Sequence, residues 1–370
     1  MKILVTGGAG FIGSHLVDAL VARGHDVVVY DAFVPQVHGG KKPDYLNKGA
    51  VYLKGDMRHR ESLGKVVKAS EIVFHLASTV GVGQSMYEIS EYVDANTRGT
   101  AVLLDLLVRE KTKVRKVIVA SSMSLYGEGS YVCPKCGKIT PPPRSERELE
   151  AKKWEMRCPT CRTPVKTIPT DEWKPLEPTS IYAMTKRHQE EMSLLVGKTY
   201  RLPVVALRYF NVYGPRQALS NPYTGVCAIF SSRIKNNHPP LLYEDGLQSR
   251  DFVHVEDIVQ ANILAMENPK ADYQIFNVGS RKAVSILEIA NTLIHLYQKQ
   301  VTPQIVGKYR AGDIRHCSAD ISRIAALGYA PRWSLREGLR DLVRWGVTQK
   351  AVDRIEKADK ELLKRGLRQA

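Results

Sequence analysis

Tyr182 and Lys186 stand four residues apart in Tyr182-Ala183-Met184-Thr185-Lys186, a spacing that puts both on one face of a helix. A phenol with a free pKa of about 10 is a poor base at neutral pH, and a neighbouring ammonium draws that pKa down by stabilising the phenolate. Upstream, the apolar run Val117–Ala120 leads into Ser121-Ser122-Met123-Ser124-Leu125-Tyr126-Gly127. A strand that ends in a serine pair can hold a substrate oxygen beside the phenol. Alone, Ser122 reads equally as a turn serine, and Tyr-x-x-x-Lys is a common accident. In this order, behind a glycine-rich turn, the three residues describe proton transfer at a hydroxyl.

That turn is Gly7-Gly8-Ala9-Gly10-Phe11-Ile12-Gly13, which follows the strand-like run Lys2–Thr6. Glycines permit a tight turn and close approach of a pyrophosphate, while the helix that follows offers free N–H groups and the positive end of its dipole. The spacing is Gly7-x-x-Gly10-x-x-Gly13 rather than strict G-x-G-x-x-G. Asp31 closes the next strand, eighteen residues after Gly13. A carboxylate there accepts from both ribose hydroxyls and repels a 2′-phosphate, which favours NAD over NADP. Asp56 ends a third expected strand, where it reads either as a contact to the adenine edge or as a turn aspartate.

Cys133-Pro134-Lys135-Cys136 and Cys158-Pro159-Thr160-Cys161 are two C-P-x-C knuckles with 21 residues between them. Two knuckles complete a tetrahedral Cys₄ shell, resembling a zinc ribbon, and leave no open position for water; the expected role is structural. Disulfides or free thiols are the alternative. Cys227 and Cys317 read as ordinary buried residues, and the ten histidines show no ligand spacing.

The elements that must position these groups follow from pattern. Strands are expected at Lys2–Thr6, Asp26–Tyr30, Glu71–Leu76, Val117–Ser121, Val204–Tyr209 and Gln274–Val278, with helices at Ser14–Arg23 and Asn96–Arg109. Strands alternating with helices define an α/β fold, a Rossmann-type doubly wound parallel sheet. Residues 130–178 break the rhythm with prolines, charges and four of the six cysteines, and read as an insertion. The chain has 370 residues, 44% hydrophobic and 25% charged, which excludes disordered, collagen-like and coiled-coil classes. No apolar run is long enough to span a bilayer and no leader pattern precedes the first strand, so the expected setting is cytoplasmic, without membrane partners. The net charge of +16 is spread among acids, and the tail from Asp353 to Arg368 alternates signs as a solvated helix face does. That favours a non-specific solvated surface, with a local anion site as the alternative, over nucleic acid.

Together these residues resemble the extended short-chain dehydrogenase/reductase family, in particular its nucleotide-sugar epimerases and dehydratases. The resemblance runs from Met1 to about Trp345 and is carried by Thr6–Gly13, Asp31, His75-Leu76-Ala77, Asn96, Ser121–Gly127, Tyr182/Lys186, Arg208–Gly214, Arg250–Val255 and Arg310–Asp313. It implies that Ser122, Tyr182 and Lys186 are catalytic, with Lys186 also bonding the nicotinamide ribose. It places Gly7, Gly10, Phe11, Ile12, Gly13, Asp31, Asp56, Met57, Leu76, Ala77, Asn96 and Tyr209 at NAD. Asn211, Arg250 and Arg310 would then meet the diphosphate of a nucleotide-diphosphate sugar, and Asp313 its ribose. It further implies a homodimer built on the helices around Asn96–Arg109 and Tyr182–Tyr200. The NAD-binding domain would span 1–212, interrupted by 130–178 and regaining a strand near 256–280; residues 213–255 and 281–370 would form the smaller sugar-binding domain.

Dehydratases of the family carry an acid pair directly after the catalytic Ser/Thr, whereas this chain has Met123 and Ser124. Elimination is therefore disfavoured and 4-epimerisation through a transient ketone favoured. Gln36–Gly39, Ser220–Gly225 and the four-cysteine insertion resemble the bacterial dTDP-L-rhamnose 4-epimerase subgroup, with UDP-glucose/UDP-galactose as the alternative pair. A different class, an NAD-binding regulator or nucleic-acid reader using the cysteine ribbon, leaves Ser122, Tyr182 and Lys186 without a purpose.

Overall fold

Short runs of aliphatic and β-branched residues between glycine turns become seven parallel strands. The computed structural model describes residues 1–223, 225–310 and 312–367; Thr224, Ala311 and Arg368, which fall in segments named above, lie outside them. In chain order the first five strands are β1 (Lys2–Thr6), β2 (Asp26–Asp31), β3 (Val51–Lys54), β4 (Ile72–His75) and β5 (Lys116–Ser122). Across the sheet the order is Ile275–Val278, Val204–Tyr209, β5, β4, β1, β2, β3. Successive side chains point to opposite faces: Ile3, Val5, Val29 and Phe74 join one hydrophobic cluster, Leu4, Val28, Tyr30 and Val73 the other. Helices cover both faces, which is why these strands read as continuous apolar runs rather than as alternation.

The order reverses between β1 and β4, where Thr6 lies opposite His75. Ligands of doubly wound sheets bind outside the carboxyl ends of strands at such a reversal. The glycine turn after β1 and Leu76-Ala77 after β4 both emerge there. The first helix, α1, runs Phe11–Ala22 rather than Ser14–Arg23, because Gly10 already accepts the first helical bond, from the Ser14 N–H at 2.9 Å. The helix expected from Asn96 is preceded by a wide π-turn over Val93–Arg98 and then runs Gly99–Arg109. Its first residue is crowded: a Cβ at Gly99 would lie 2.9 Å from Met57 Cβ.

The cysteine-rich segment has its own antiparallel sheet, Gly137–Ile139, Ser130–Cys133 and Lys166–Ile168, and a short helix Glu146–Glu150 closed by a Ser145/Glu148 capping box. Its flanks are stitched into the body. Gly129 N–H donates to His316 O at 2.9 Å, and Thr170 N–H to Ser318 O at 2.8 Å. A third hydrophobic cluster gathers Tyr213, Phe230, Phe252, Ile289, Leu293 and Leu339 from the second half of the chain. The alternating charges of the tail lie on the exposed side of the helix Ile355–Lys364, whose other side buries Ile355, Ala358 and Leu362. Among the described residues no helix is long and apolar enough to cross a membrane.

Candidate active site and cysteine cluster

The turn after β1 is closed to side chains. A Cβ at Gly13 would sit 2.3 Å from the Gly7 carbonyl oxygen, and one at Gly7, where φ is +70°, would sit 2.8 Å from Ala77 N. At Gly10 a Cβ would meet only the Gly7 oxygen at 3.4 Å, so the fold itself does not demand glycine there and an approaching ligand would. No side chain caps the start of α1, where Phe11 and Ile12 present their N–H groups. Asp31 is drawn into the same turn: its Oδ2 accepts from Ala9 N–H at 3.0 Å and its Oδ1 from Phe33 N–H at 2.8 Å. Asp56 behaves differently. Its carboxylate is held by Arg58 through Nε at 2.9 Å and a second guanidinium nitrogen at 2.6 Å, which keeps its pKa below the usual range. A contact with adenine would have to share that carboxylate.

The opposite wall is built by Leu76 and Ala77, whose N–H groups bond to Thr6 O at 3.1 Å and Thr6 Oγ1 at 3.3 Å. Asn96 is fully buried and spends its amide on the protein: Oδ1 accepts from Thr79 N–H at 2.7 Å, and Nδ2 donates to Thr79 O at 3.0 Å and Thr185 Oγ1 at 2.9 Å. It ties the wall to the helix Ile181–Tyr200. Tyr209 turns its hydroxyl away, donating to Asn262 Oδ1 at 2.9 Å.

Ser180 caps that helix by accepting from Ala183 N–H at 3.1 Å, which fixes Tyr182 one turn above Lys186. Burial raises the pKa of the Tyr182 phenol, and a hydrogen bond with Ser122 pulls it back. Ser122 is itself held by Ser124, whose Oγ donates to Ser122 Oγ at 2.9 Å and whose N–H donates at 3.2 Å. With its lone pairs engaged, the Ser122 proton is directed to the phenol side. Lys186 is buried, and its ammonium is drawn from 10.5 down to about 7 by burial, with Glu190 opposing. Its Nζ donates to Gln189 Oε1 at 2.9 Å. Desolvation leaves this lysine poised between ammonium and amine. Behind it His75 bridges Thr6 Oγ1 and Thr100 Oγ1, each at 2.9 Å, and burial with the Lys186 charge lowers its pKa to about 3, so it is neutral.

Of the residues expected at the substrate, Arg310, Arg250 and Asp313 come together at one loop. Asn211 Oδ1 is buried with no hydrogen-bond partner among the described residues. Arg310 stacks over Tyr243, 4.1 Å from the ring centroid, and lies 3.8 Å from Asp359. Exposed Asp313 sits within the field of Arg310, Arg250 and Arg144. Arg250 differs from the expectation of a clamp open to ligand: it donates to the carbonyls of Ser249, Ile314 and Arg315 at 2.8, 2.6 and 3.0 Å, fastening the loop that carries Arg310 and Asp313. Beside Tyr182, the segments around Gln36 and Asn221 meet. Gln36 Nε2 donates to Gln84 Oε1 at 2.9 Å and to Asn221 Oδ1 at 3.2 Å, and the adjacent Ser85 hydroxyl accepts from Tyr182 N–H at 3.0 Å.

The four knuckle cysteines converge, their Sγ atoms all within 4.8 Å of one another. Cys133–Cys161 and Cys136–Cys161 are 3.5 and 3.6 Å apart, close to the edge of about 3.8 Å of a tetrahedron with metal–sulfur bonds of about 2.3 Å. All six cysteines are free of disulfides, and Cys227 and Cys317 are buried, as expected.

Several partners had no mark in the sequence reading. Gln189 and Glu190 follow Lys186 at i+3 and i+4, a spacing that could have singled them out. Glu190 makes a buried pair with Arg208 at 2.5 Å and accepts from Ser121 Oγ at 2.5 Å. Arg144, Glu155 and Glu244 meet only through the fold.

A glycine turn at a strand reversal, with a serine–tyrosine pair beside it, defines a dinucleotide-dependent enzyme of the doubly wound class. The chain belongs to the NAD dependent epimerase/dehydratase family, which it matches over residues 3–151 and 160–279. The break falls inside the cysteine-rich insertion. It is 36% identical over 350 residues to the dTDP-L-rhamnose 4-epimerase of Burkholderia thailandensis, covering 93% of this chain and 94% of that protein. To a putative UDP-glucose 4-epimerase of Methanocaldococcus jannaschii it is 31% identical, covering 93% and 97%. Its fold matches the UDP-glucuronic acid 4-epimerase of Bacillus cereus, solved with UDP-glucuronic acid and NAD, with a TM-score of 0.77 at 28% identity, covering 94% of this chain and 99% of that one.

Proposed function

We propose that the protein is an NAD-dependent nucleotide-sugar 4-epimerase acting on dTDP-L-rhamnose and dTDP-6-deoxy-L-talose. The observation that carries the reaction is a single proton-transfer phenol, Tyr182, bonded to Ser122, with Met123 and Ser124 where elimination would need acids. Ser124 instead holds Ser122 in place. The subgroup-like segments at Gln36 and Asn221 meet beside Tyr182, which favours the deoxysugar pair. UDP-glucose and UDP-galactose are the second reading, supported by the similarity to UDP-sugar epimerases.

The residues fit NAD. The cradle excludes side chains at Gly7 and Gly13, the start of α1 is uncapped, and Asp31 stands where a ribose is expected. When bound there, NAD supplies the reversible oxidation that makes C4 of the sugar transiently a ketone. Tyr182 Oη takes the proton of the C4 hydroxyl and returns it once the ketone has presented its other face. Ser122 Oγ donates to that oxygen throughout, and buried Lys186 sets the local proton balance. Arg310 would anchor the diphosphate while the sugar turns, on a loop whose carbonyls Arg250 fastens, with Asn211 also meeting the diphosphate and Asp313 the ribose.

The knuckle thiolates fit structural zinc, which would give residues 130–178 the core their few apolar residues do not supply. A homodimer is supported by Met184 and Leu195, which lie on one face of Ile181–Tyr200 and are 44% and 68% exposed. The third hydrophobic cluster supports reading 213–255 and 281–370 as the sugar-binding domain. The test is a screen of dTDP- and UDP-sugars with product NMR. Interconversion of C4 epimers is expected, fastest for the dTDP-deoxysugars; a 4-keto-6-deoxy product, or inertness toward all of them, overturns the reading.

A further inference from the structure

The cysteine insertion reaches the loop that carries Arg310 and Asp313. Arg144, which lies between the two knuckles, forms an ion pair with Glu244 at 2.7 Å, both side chains being 3% exposed. The same guanidinium donates to the carbonyl of Asp313 at 3.1 Å and to that of Trp154 at 3.2 Å. Glu244 sits at φ 53°, a left-handed conformation that favours glycine, immediately after Tyr243, the ring under Arg310. Its second oxygen accepts from Arg315 at 2.9 Å.

Arg315 has no exposed side-chain surface and is shared among Glu244, Asp245 and the insertion's Glu155, whose Oε1 accepts from Arg315 Nε at 2.9 Å. Glu155 also reaches His316 at 3.2 Å, and the Trp154 ring stands edge-on to Tyr309. The described residues of loop 309–316 are thus bracketed at both ends by the segment that runs between Cys136 and Cys158. Arg144 Nε and Arg310 Nε are both buried without hydrogen-bond partners among the described residues, two N–H groups at the same loop.

We propose that the insertion is a working part of the substrate site: metal held by Cys133, Cys136, Cys158 and Cys161 fixes Arg144 and Glu155, which position loop 309–316 for a nucleoside diphosphate. The proposal rests on reading that loop as the nucleotide-sugar site. Arg144 and Glu155 act as positioning residues, through Glu244, Arg315 and the Asp313 carbonyl. The glycine cradle shares none of these contacts, so dinucleotide binding is independent of the metal. Without the metal, the loop exchanges between arrangements, and a ligand that needs one of them binds more weakly in proportion to its population.

The experiment measures binding of dTDP and UDP, and separately of NAD, by calorimetry on the full chain as purified, after metal removal, and after zinc is restored. Removal is expected to weaken nucleoside diphosphate binding about ten- to hundredfold, the loss typical of one charged hydrogen-bonding contact, while NAD binding is unchanged and zinc restores the rest. Because stripped protein can aggregate, Arg144→Gln and Glu155→Gln in metal-loaded protein give an independent reading. Each should raise KM for the nucleotide sugar in the same range and leave kcat near the wild-type value, with Arg144→Lys restoring part of the loss. Affinity unaffected by metal and by both substitutions overturns this proposal alone. Failure of metal-loaded wild type to bind either nucleoside diphosphate overturns the substrate reading and this proposal with it.

Discussion

Replacing Lys186 by methionine should make the dinucleotide-free protein more stable and less active. Burial brings the lysine from 10.5 to about 7, which at about 1.4 kcal/mol per tenfold means that burying the ammonium costs about 4–5 kcal/mol. The sign follows from proton counting. Below pH 7 the folded and unfolded chains both hold the proton, and the full cost is present. As pH rises from 7 toward 10.5, the unfolded chain keeps a proton that the folded one has shed, so wild-type stability rises, by about 2 kcal/mol between pH 7 and 9. Lys186→Met removes the charge and also the bond to Gln189 Oε1 at 2.9 Å, which gives back about 1–2 kcal/mol. The variant should therefore be about 3 kcal/mol more stable at pH 7 and about 1 kcal/mol at pH 9. Urea unfolding at the two pH values measures this as a difference between the proteins, in which other titrating groups cancel. A variant less stable than wild type at pH 7, or a difference that does not change with pH, would refute the reasoning. Turnover should fall in the same variant, because the group that sets the proton balance beside Tyr182 is gone.

Tyr182→Phe keeps the ring and removes the proton acceptor, so NAD and nucleoside diphosphates should still bind in calorimetry while turnover drops about 10²–10⁴-fold. Glu190→Gln leaves Arg208 buried against a neutral partner; urea unfolding should show a loss of about 3–5 kcal/mol, larger than for any exposed ion pair. Gly13→Ala forces a Cβ to 2.3 Å from the Gly7 carbonyl oxygen, and the purified protein should carry little or no dinucleotide.

The cradle, the Tyr182/Lys186 helix and the cysteine knuckles were legible because each is local: spacing within one turn or one loop fixes which atoms face together. Strand positions were legible to within a residue or two, since buried parallel strands are apolar throughout. What escaped is non-local. That Arg250 fastens a loop through carbonyls depends on Ile314 and Arg315, over sixty residues away. The poise of Lys186 depends on how completely the cleft walls desolvate it, which spacing cannot express. The Arg144–Glu244 pair joins residues one hundred positions apart, which no local spacing can reveal. In the tail, alternating charges hid Ile355, Ala358 and Leu362, which together make a buried face.

The most direct test follows the hydrogen at C4. Nucleotide sugar deuterated at C4, dTDP-L-rhamnose first, is incubated with the protein in ordinary water and the product examined by NMR and mass spectrometry. Epimerisation by one proton-transfer tyrosine, with no second acid or base, requires the C4 epimer to form with its deuterium retained and no solvent hydrogen exchanged at C5. Exchange at C5 would mean enolisation by a base that Met123 and Ser124 cannot provide, and loss of the C4 label would mean that the hydride taken from C4 is not the one returned; either would contradict the assignment.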